Sequence, residues 1–142
     1  MAITINPQDA KNDIWKFFVQ WLTLLKGSEP EAAFAFIDGC SPRCEQFDAK
    51  SFATFLREFS GQPHEQYEYA DLLLEGEDFE DCKEDSSVRL NSDSSWVALL
   101  YMPLNWRKVP LSHELVLAFD FIPTDQGDFR VFLHIDDNVL TL

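Results

Sequence analysis

The chain has 142 residues, which suits one domain with a core of its own, and we treat 1–142 as that domain. A formal net charge of −14 argues against nucleic-acid binding, which needs clustered Lys and Arg. Apolar residues make up 46% and aromatic residues 14%, which excludes a disordered acidic tail.

Three helices are predicted in the first 61 residues. Asn6 can cap the first helix, with Pro7 at its first helical position. Ser28 and Glu31 have the spacing of a capping box at the start of the second. The third runs from Asp48 to Ser60. Gly27, Gly39 and Gly61 end the three helices, whose apolar faces are Ile14, Phe17, Phe18, Trp21, Leu22 and Leu25, then Ala33, Phe34, Phe36 and Ile37, then Phe52, Phe55, Leu56 and Phe59.

Strands follow the helices. Residues 67–74 fit a strand or a short helix, and 76–87 have the composition of a solvated loop. Residues 95–104 are apolar on both faces, which is typical of a central strand covered on both sides. Residues 114–122 and 129–135 alternate and form a hairpin across the loop 123–127. The predicted inward faces are Leu115, Leu117, Phe119 and Phe121, and Phe129, Val131, Leu133 and Ile135.

This element order predicts an α+β domain, with three N-terminal helices packed on a curved, mainly antiparallel sheet. The order, together with the segments at 101–106, 115–121 and 132–140, resembles uncharacterised bacterial proteins of the ketosteroid-isomerase-like (SnoaL-like) cone fold. Proteins of this fold include isomerases, dehydratases, ligand-binding modules, assembly domains and immunity proteins. The resemblance therefore implies a shape rather than one activity.

An acidic segment, residues 64–85, holds ten carboxylates against one lysine, a net charge of −9. Such a potential attracts basic surfaces, and the aromatic residues within the segment suit a protein interface. An equally good interpretation is that the tyrosines of the segment pack on the sheet and its phenylalanine anchors the loop. Under the first interpretation the partner is a basic protein, contacted by Tyr69, Glu77, Asp78, Phe79, Glu80, Asp81, Glu84 and Asp85.

No catalytic constellation stands out, and three residues are weak candidates for a pocket between helices and sheet. Enzymes of the resembled fold place a carboxylate or a His–Asp pair on the concave sheet face, where Tyr101, Asp120 and His134 fall. Asp120 could act as a base and Tyr101 could donate to an oxyanion. We favour a structural interpretation, in which Ile122 lies opposite Asp128 and Asp120 forms a cross-strand ion pair with Arg130.

Metal and cofactor signals are weak. Cys40 and Cys44, considered together with His64 and Cys82, do not form a recognised zinc pattern, so free thiols are the prediction. The acidic segment lacks the ligand spacing of an EF-hand. No phosphate-binding or dinucleotide motif is present, and we expect neither a metal nor a cofactor.

The first residues lack the pattern of a secretion signal, so none is expected, and no apolar stretch is long enough to span a bilayer. Three cysteines are an odd number, which is typical of reduced thiols. We expect a cytoplasmic protein without membrane association, in which a homodimer would fit the resembled fold.

Two functions are compatible with these features of the sequence. The favoured one is a non-enzymatic acidic binding module, such as an immunity-type inhibitor of a basic effector. The alternative is a small ketosteroid-isomerase-like enzyme or ligand-binding protein. Its pocket is expected between the helices and the sheet.

Overall fold

The computed structural model describes residues 2–26, 30–61, 83–84, 86–106 and 109–134, without the side chains at 26, 57–61 and 101–115. Two residues of strand come first, and three helices and four strands follow in the described part of the chain. The elements are β1 (Ala2–Ile3), α1 (Ala10–Lys26), α2 (Pro30–Phe36), α3 (Ala49–Gly61), β2 (Ser87–Leu90), β3 (Trp96–Trp106), β4 (Val109–Pro123) and β5 (Phe129–His134).

The strands form one open antiparallel sheet in the order β1-β5-β4-β3-β2. Because the helices precede β2 to β5 in the chain, the predicted α+β class with N-terminal helices is confirmed. In the described part of the chain, no helix is long and apolar enough to cross a membrane.

The core lies between α1 and one face of the sheet, and aromatic rings meet aliphatic side chains in it. Phe119 is fully buried, and its ring centroid lies 5.4 Å from that of Phe17, 5.2 Å from Phe18 and 5.1 Å from Trp21. Edge-to-face and tilted contacts at these distances are favourable for aromatic pairs. The indole of Trp21 also donates a 2.8 Å hydrogen bond to the carbonyl of Ala33, which ties α1 to α2.

The predicted core faces are largely confirmed. The buried residues include Ile14, Phe17, Phe18, Trp21, Leu22 and Leu25 of α1, Phe52 and Leu56 of α3, and Leu117, Phe119, Phe121, Val131 and Leu133 of the hairpin. Phe34, Phe36, Phe55 and Phe129 are partly buried against them. The side chains of Phe59, Leu115 and Ile135 lie outside the described part, as do Gly27 and Ser28 at the α1–α2 junction.

The start of α1 differs from the prediction. The helix begins at Ala10 rather than at Pro7, because the side chain of Asn6 accepts a hydrogen bond from the backbone N–H of Gln8 (3.0 Å). This bond closes a turn over Pro7, and the carbonyl of Asp9 accepts the first bond of the helix. At α3 the helix begins at Ala49, one residue after the predicted start, and Asp48 caps it by accepting a 2.8 Å bond from the N–H of Ser51.

Two strands were not predicted. The two residues of β1 are too few to show alternation, yet they pair with Phe129 and Arg130. The sequence predicts a loop over 76–87, but β2 begins at Ser87 and pairs with β3. As a result β3 lies between β2 and β4, as expected of a central strand. Its residues Val97 and Leu99 remain partly exposed, which differs from the prediction of cover on both faces.

The β4–β5 hairpin has a shorter loop than predicted. The N–H of Thr124 donates to the carbonyl of Asp128 (2.9 Å), which leaves three loop residues, and Gly127 has a φ of +84°. A three-residue loop with a left-handed glycine is a common hairpin connection. Ile122 therefore lies opposite Arg130 rather than opposite Asp128, a register shift of two residues.

Candidate functional site

A buried carboxylate lies on the outer face, the face of the sheet opposite the rings that contact α1. Asp120 alternates with Phe119 and Phe121 along β4, so its side chain projects away from the aromatic core. It is only 1% exposed. Its Oδ2 accepts a hydrogen bond from the hydroxyl of Ser41 and lies 3.1 Å from Nδ1 of His134.

The hairpin register brings Asp120 and His134 together. Asp120 lies opposite Phe132 and Ala118 lies opposite His134, which makes Asp120 and His134 diagonal neighbours on one face. The predicted ion pair between Asp120 and Arg130 is wrong, because the three-residue loop places Arg130 opposite Ile122. Arg130 instead contacts Asp38 at 3.2 Å.

Ser41 reaches this face on a loop that follows α2. The N–H of Asp38 donates to the carbonyl of Val131 (2.8 Å), the N–H of Leu133 donates to the carbonyl of Gly39 (2.9 Å), and the N–H of Ser41 donates to the carbonyl of Leu133 (2.8 Å). Gly39 has a φ of +94°, a conformation that glycine adopts without strain. The loop therefore runs along β5 and carries Ser41, itself fully buried, to Asp120.

The order of the three groups determines their chemistry. Asp120 lies between Ser41 and His134, whereas a nucleophilic serine needs the imidazole between the hydroxyl and the carboxylate. Ser41 donates to Asp120 and accepts from the N–H of Arg43 (3.1 Å), a positioning role. An ionised carboxylate only accepts hydrogen bonds, so a charged Asp120 places the imidazole proton on Nδ1 and the basic lone pair of His134 on Nε2.

An ion pair forms the rim beside this cluster. Nη2 of Arg43 lies 2.5 Å from Oδ2 of Asp93 and donates to the hydroxyl of Ser95 at 3.0 Å. Oδ1 of Asp93 accepts from the hydroxyl (2.6 Å) and the N–H (3.0 Å) of Ser95. The hydrogen bonds from the Ser95 hydroxyl and N–H, followed by the charge of Arg43, lower the pKa of Asp93 from its ordinary value.

These residues surround an open groove of about 560 Å³ on the outer face, which we call the outer groove. Val97, Leu99 and Ala118 supply an apolar floor, and Asp120 and His134 lie at one side of it. The complete lining is Arg43, Arg89, Asn91, Ser92, Asp93, Val97, Leu99, Ala118, Asp120 and His134. Seven of these ten residues are polar or charged, so the groove offers many hydrogen-bonding groups around a small apolar floor.

The three weak pocket candidates have different outcomes. Asp120 and His134 are in contact, but they face the outer groove rather than a space between helices and sheet. The space beneath α1 is filled by the rings of Phe17, Phe18, Trp21 and Phe119. The backbone of Tyr101 pairs with that of Val116, and the side chain of Tyr101 lies outside the described part of the structure.

The predicted partner-binding residues fall almost entirely outside the described residues. Glu84 is exposed, and its carbonyl lies 3.5 Å from Nζ of Lys11. Nothing is described for the remaining members, which are Tyr69, Glu77, Asp78, Phe79, Glu80, Asp81 and Asp85.

Cys40 and Cys44 form no disulfide within the described part of the chain, and each thiol has a hydrogen-bonding neighbour. Sγ of Cys40 lies 3.0 Å from Oε1 of Gln46, and Sγ of Cys44 lies 3.4 Å from the carbonyl of Ser41. Within the described ranges, no group of three or more His, Cys, Asp or Glu side chains is arranged to hold a metal ion.

Sequence reasoning missed Ser41 as the hydrogen-bond donor to Asp120, and Arg43 and Arg89 as residues of the outer groove. Ser41 and Arg43 lie in a loop that is brought to β5 only by tertiary hydrogen bonds, so no local pattern signals them. Arg89 had a usable signal. Its strand ends in the turn-forming residues 91–94 directly before the apolar strand at Trp96, which is typical of a β-hairpin.

Comparison of the chain with protein-family models, with curated proteins and with solved structures finds no match. The resemblance to the ketosteroid-isomerase-like fold therefore stays a prediction.

Proposed function

We propose that the protein binds a small molecule in the outer groove, and that His134, oriented by Asp120, forms a hydrogen bond with this ligand or exchanges a proton with it. The observation that carries the proposal is the 3.1 Å contact between Nδ1 of His134 and Asp120, at the side of the groove. This is the ligand-binding alternative from the sequence, moved to the opposite face of the sheet.

Burial of Asp120 supports the proposal. A carboxylate that is 1% exposed is costly unless hydrogen bonds compensate for the lost hydration, and Ser41 and His134 supply them. An apolar side chain would fill this position without that cost. The carboxylate therefore serves a purpose other than packing, and fixing the tautomer and orientation of an imidazole is one that Asp performs in many sites.

The test is a fragment screen by NMR with isotope-labelled protein. Binding in the outer groove is expected to shift the backbone amide signals of Leu99, Ala118 and His134 together. The variant His134→Asn keeps a donor near the position of Nδ1 and removes Nε2. We expect it to weaken binding about 10-fold, the effect of losing one hydrogen bond between the ligand and a partly buried side chain.

The matched control is Gln20→Ala, which shortens an exposed polar side chain on α1. It should bind every fragment as the unaltered protein does. Fragments that shift signals only elsewhere, or that bind His134→Asn with unchanged affinity, would contradict the proposal.

We also propose, from the charge distribution, that the acidic segment docks on a basic protein. Its net charge of −9 within 22 residues, out of −14 for the whole chain, supports this second function. Such a charge density accelerates association with a basic surface and makes the complex sensitive to salt. An immunity-type inhibitor is the most concrete form of this proposal, and a homodimer stays a prediction.

A pull-down from lysate at low and high salt tests the docking proposal. Neutralising Asp78, Glu80 and Asp81 to Asn, Gln and Asn is expected to reduce capture of a basic partner and its salt dependence. The control neutralises three acidic residues outside the segment, Glu31, Glu45 and Asp125, and brings the same change in net charge, from −14 to −11. Equal capture by both variants would contradict docking through the segment.

A further inference from the structure

Arg89 lies on the same face of the sheet as Asp120. It is opposite Val97 on β3, and Val97 is opposite Asp120 on β4, so the three form one row across three strands. Directly opposed residues project to the same face. The side chain of Arg89 therefore lines the outer groove from the strand farthest from His134.

Among the described residues Arg89 has no partner, although the chain is rich in acid. The protein has 25 acidic and 11 basic residues, and the other arginines of this region have carboxylate partners. Arg43 contacts Asp93 and Arg130 contacts Asp38. Within the described part of the chain, Arg89 has neither a hydrogen bond nor an ion pair with a protein group.

We propose that the ligand of the outer groove carries an anionic oxygen group, a carboxylate or a phosphate, and that Arg89 binds it. The planar guanidinium donates two parallel hydrogen bonds to such a group, which is why arginine is favoured for binding carboxylates and phosphates. The two acidic residues that line the outer groove are already compensated, since Asp93 contacts Arg43 and Asp120 contacts Ser41 and His134. This inference rests on the proposed small-molecule function.

The sheet geometry also sets the form of the ligand. Three inter-strand spacings separate β2 from β5, a distance of about 14 Å. Val97, Leu99 and Ala118 form the apolar floor between the two ends. The ligand is therefore an organic anion with an apolar middle, its charged group at Arg89 and its other end toward His134.

Three probes test the inference in NMR titrations of the full chain. The probes are 4-phenylbutyrate, phenyl phosphate and the uncharged 4-phenylbutyramide, and the signals followed are the amides of Val97 and Ala118 and Nε–H of Arg89. We expect at least one anion to bind about 10-fold or more tightly than the amide, as a charge-assisted bidentate contact provides. Preference for the carboxylate or for the phosphate identifies which oxygen group the site accepts.

The variant Arg89→Gln should weaken binding of the anion about 10-fold and leave binding of the amide unchanged. Lys16→Gln is the control, because it removes one positive charge from an exposed position on α1. It should leave all three affinities unchanged.

The outcomes separate this inference from the proposed function. If the amide binds as tightly as the anions, or if Arg89→Gln weakens all three probes equally, the anionic inference is overturned and the groove remains a ligand site. If neither these probes nor the fragment library shifts the groove signals, both proposals fail.

Discussion

The two faces of β4 differ in what their side chains contact. On the inner face, Phe119 and Phe121 contact the rings of α1 and are fully buried. On the outer face, Asp120 lies between them in sequence and is equally buried, yet it contacts a hydroxyl and an imidazole. One strand thus separates packing from polar chemistry by nothing more than the alternation of its side chains.

The two faces of β4 differ in how strictly they constrain the identity of their side chains. The inner face needs apolar volume, which several side chains can supply. The outer face needs particular atoms at particular distances, because a buried carboxylate without its hydrogen-bond donors is costly. Substitutions on the two faces should therefore affect different properties, and the first two predictions compare them.

The largest effect on stability is expected on the inner face. Phe119→Ala removes a fully buried ring that contacts Phe17, Phe18 and Trp21 and should lower the free energy of unfolding by about 3–5 kcal/mol. Urea denaturation followed by tryptophan fluorescence measures it. Phe119→Leu should cost less, and Val19→Ala, at an exposed position of α1, should change stability by about 0.5 kcal/mol or less. Equal losses for Phe119→Ala and Val19→Ala would contradict the assignment of the core.

A smaller loss is expected on the outer face. Asp120→Ala leaves the hydroxyl of Ser41 and Nδ1 of His134 without their acceptor and should lower the free energy of unfolding by about 2–4 kcal/mol. A double-mutant cycle with Ser41→Ala should give a coupling energy of about 0.5–3 kcal/mol. A stability equal to or above that of the unaltered protein would show that the buried carboxylate does not hold the outer face together.

The hairpin loop should affect both faces together, because it fixes the pairing of β4 with β5. Gly127→Ala forces a side chain into a left-handed conformation at φ +84° and should cost about 1–2 kcal/mol in urea denaturation. Gly127→Asn is the control, since asparagine tolerates this conformation better, and its loss should be smaller. Identical losses for the two variants would argue against backbone strain as the cause.

The smallest effect is a pH-dependent one at the rim of the outer groove. The pKa of Asp93 is lower in the folded chain than its ordinary value of 3.8, so its charged form stabilises the fold above that value. As the pH falls through 3.8 toward the lower folded-state pKa, this contribution is lost. We expect Asp93→Asn to be less stable than the unaltered protein at pH 7, and we expect this difference to shrink as the pH falls below 3.8. Asp125→Asn controls for the change in net charge, and a stability difference for Asp93→Asn that does not vary with pH would contradict the prediction.

The inner face could be predicted from sequence because alternation determines the face on which a residue lies. Leu117, Phe119, Phe121, Val131 and Leu133 form an unbroken apolar period of two, and all five are buried. Knowing whether a residue is at an odd or an even position along its strand is therefore enough to assign its side chain to the inner face. The α+β class could be predicted because segments with helical periodicity come before the alternating segments in the chain.

The outer face could not be predicted in the same way, because alternation does not distinguish registers that differ by two residues. Both the predicted and the observed pairing of β4 with β5 keep Asp120 on the same face, but only the observed one brings it to His134. The turn at Thr124 decides between them through its bond to Asp128. Ser41 lies 79 residues from Asp120 in the chain, a separation across which local patterns carry no information.

The outer edge of β5 is covered by two short segments that come from different parts of the chain. Ala2 and Ile3 pair with the start of the strand, and Asp38 to Ser41 bond to Val131 and Leu133 further along. Exposed strand edges are the sites at which sheets of separate molecules join and aggregate. The loop that positions Ser41 therefore also guards the protein against edge-to-edge association, and a substitution that displaced this loop would risk fibril formation as well as loss of the site.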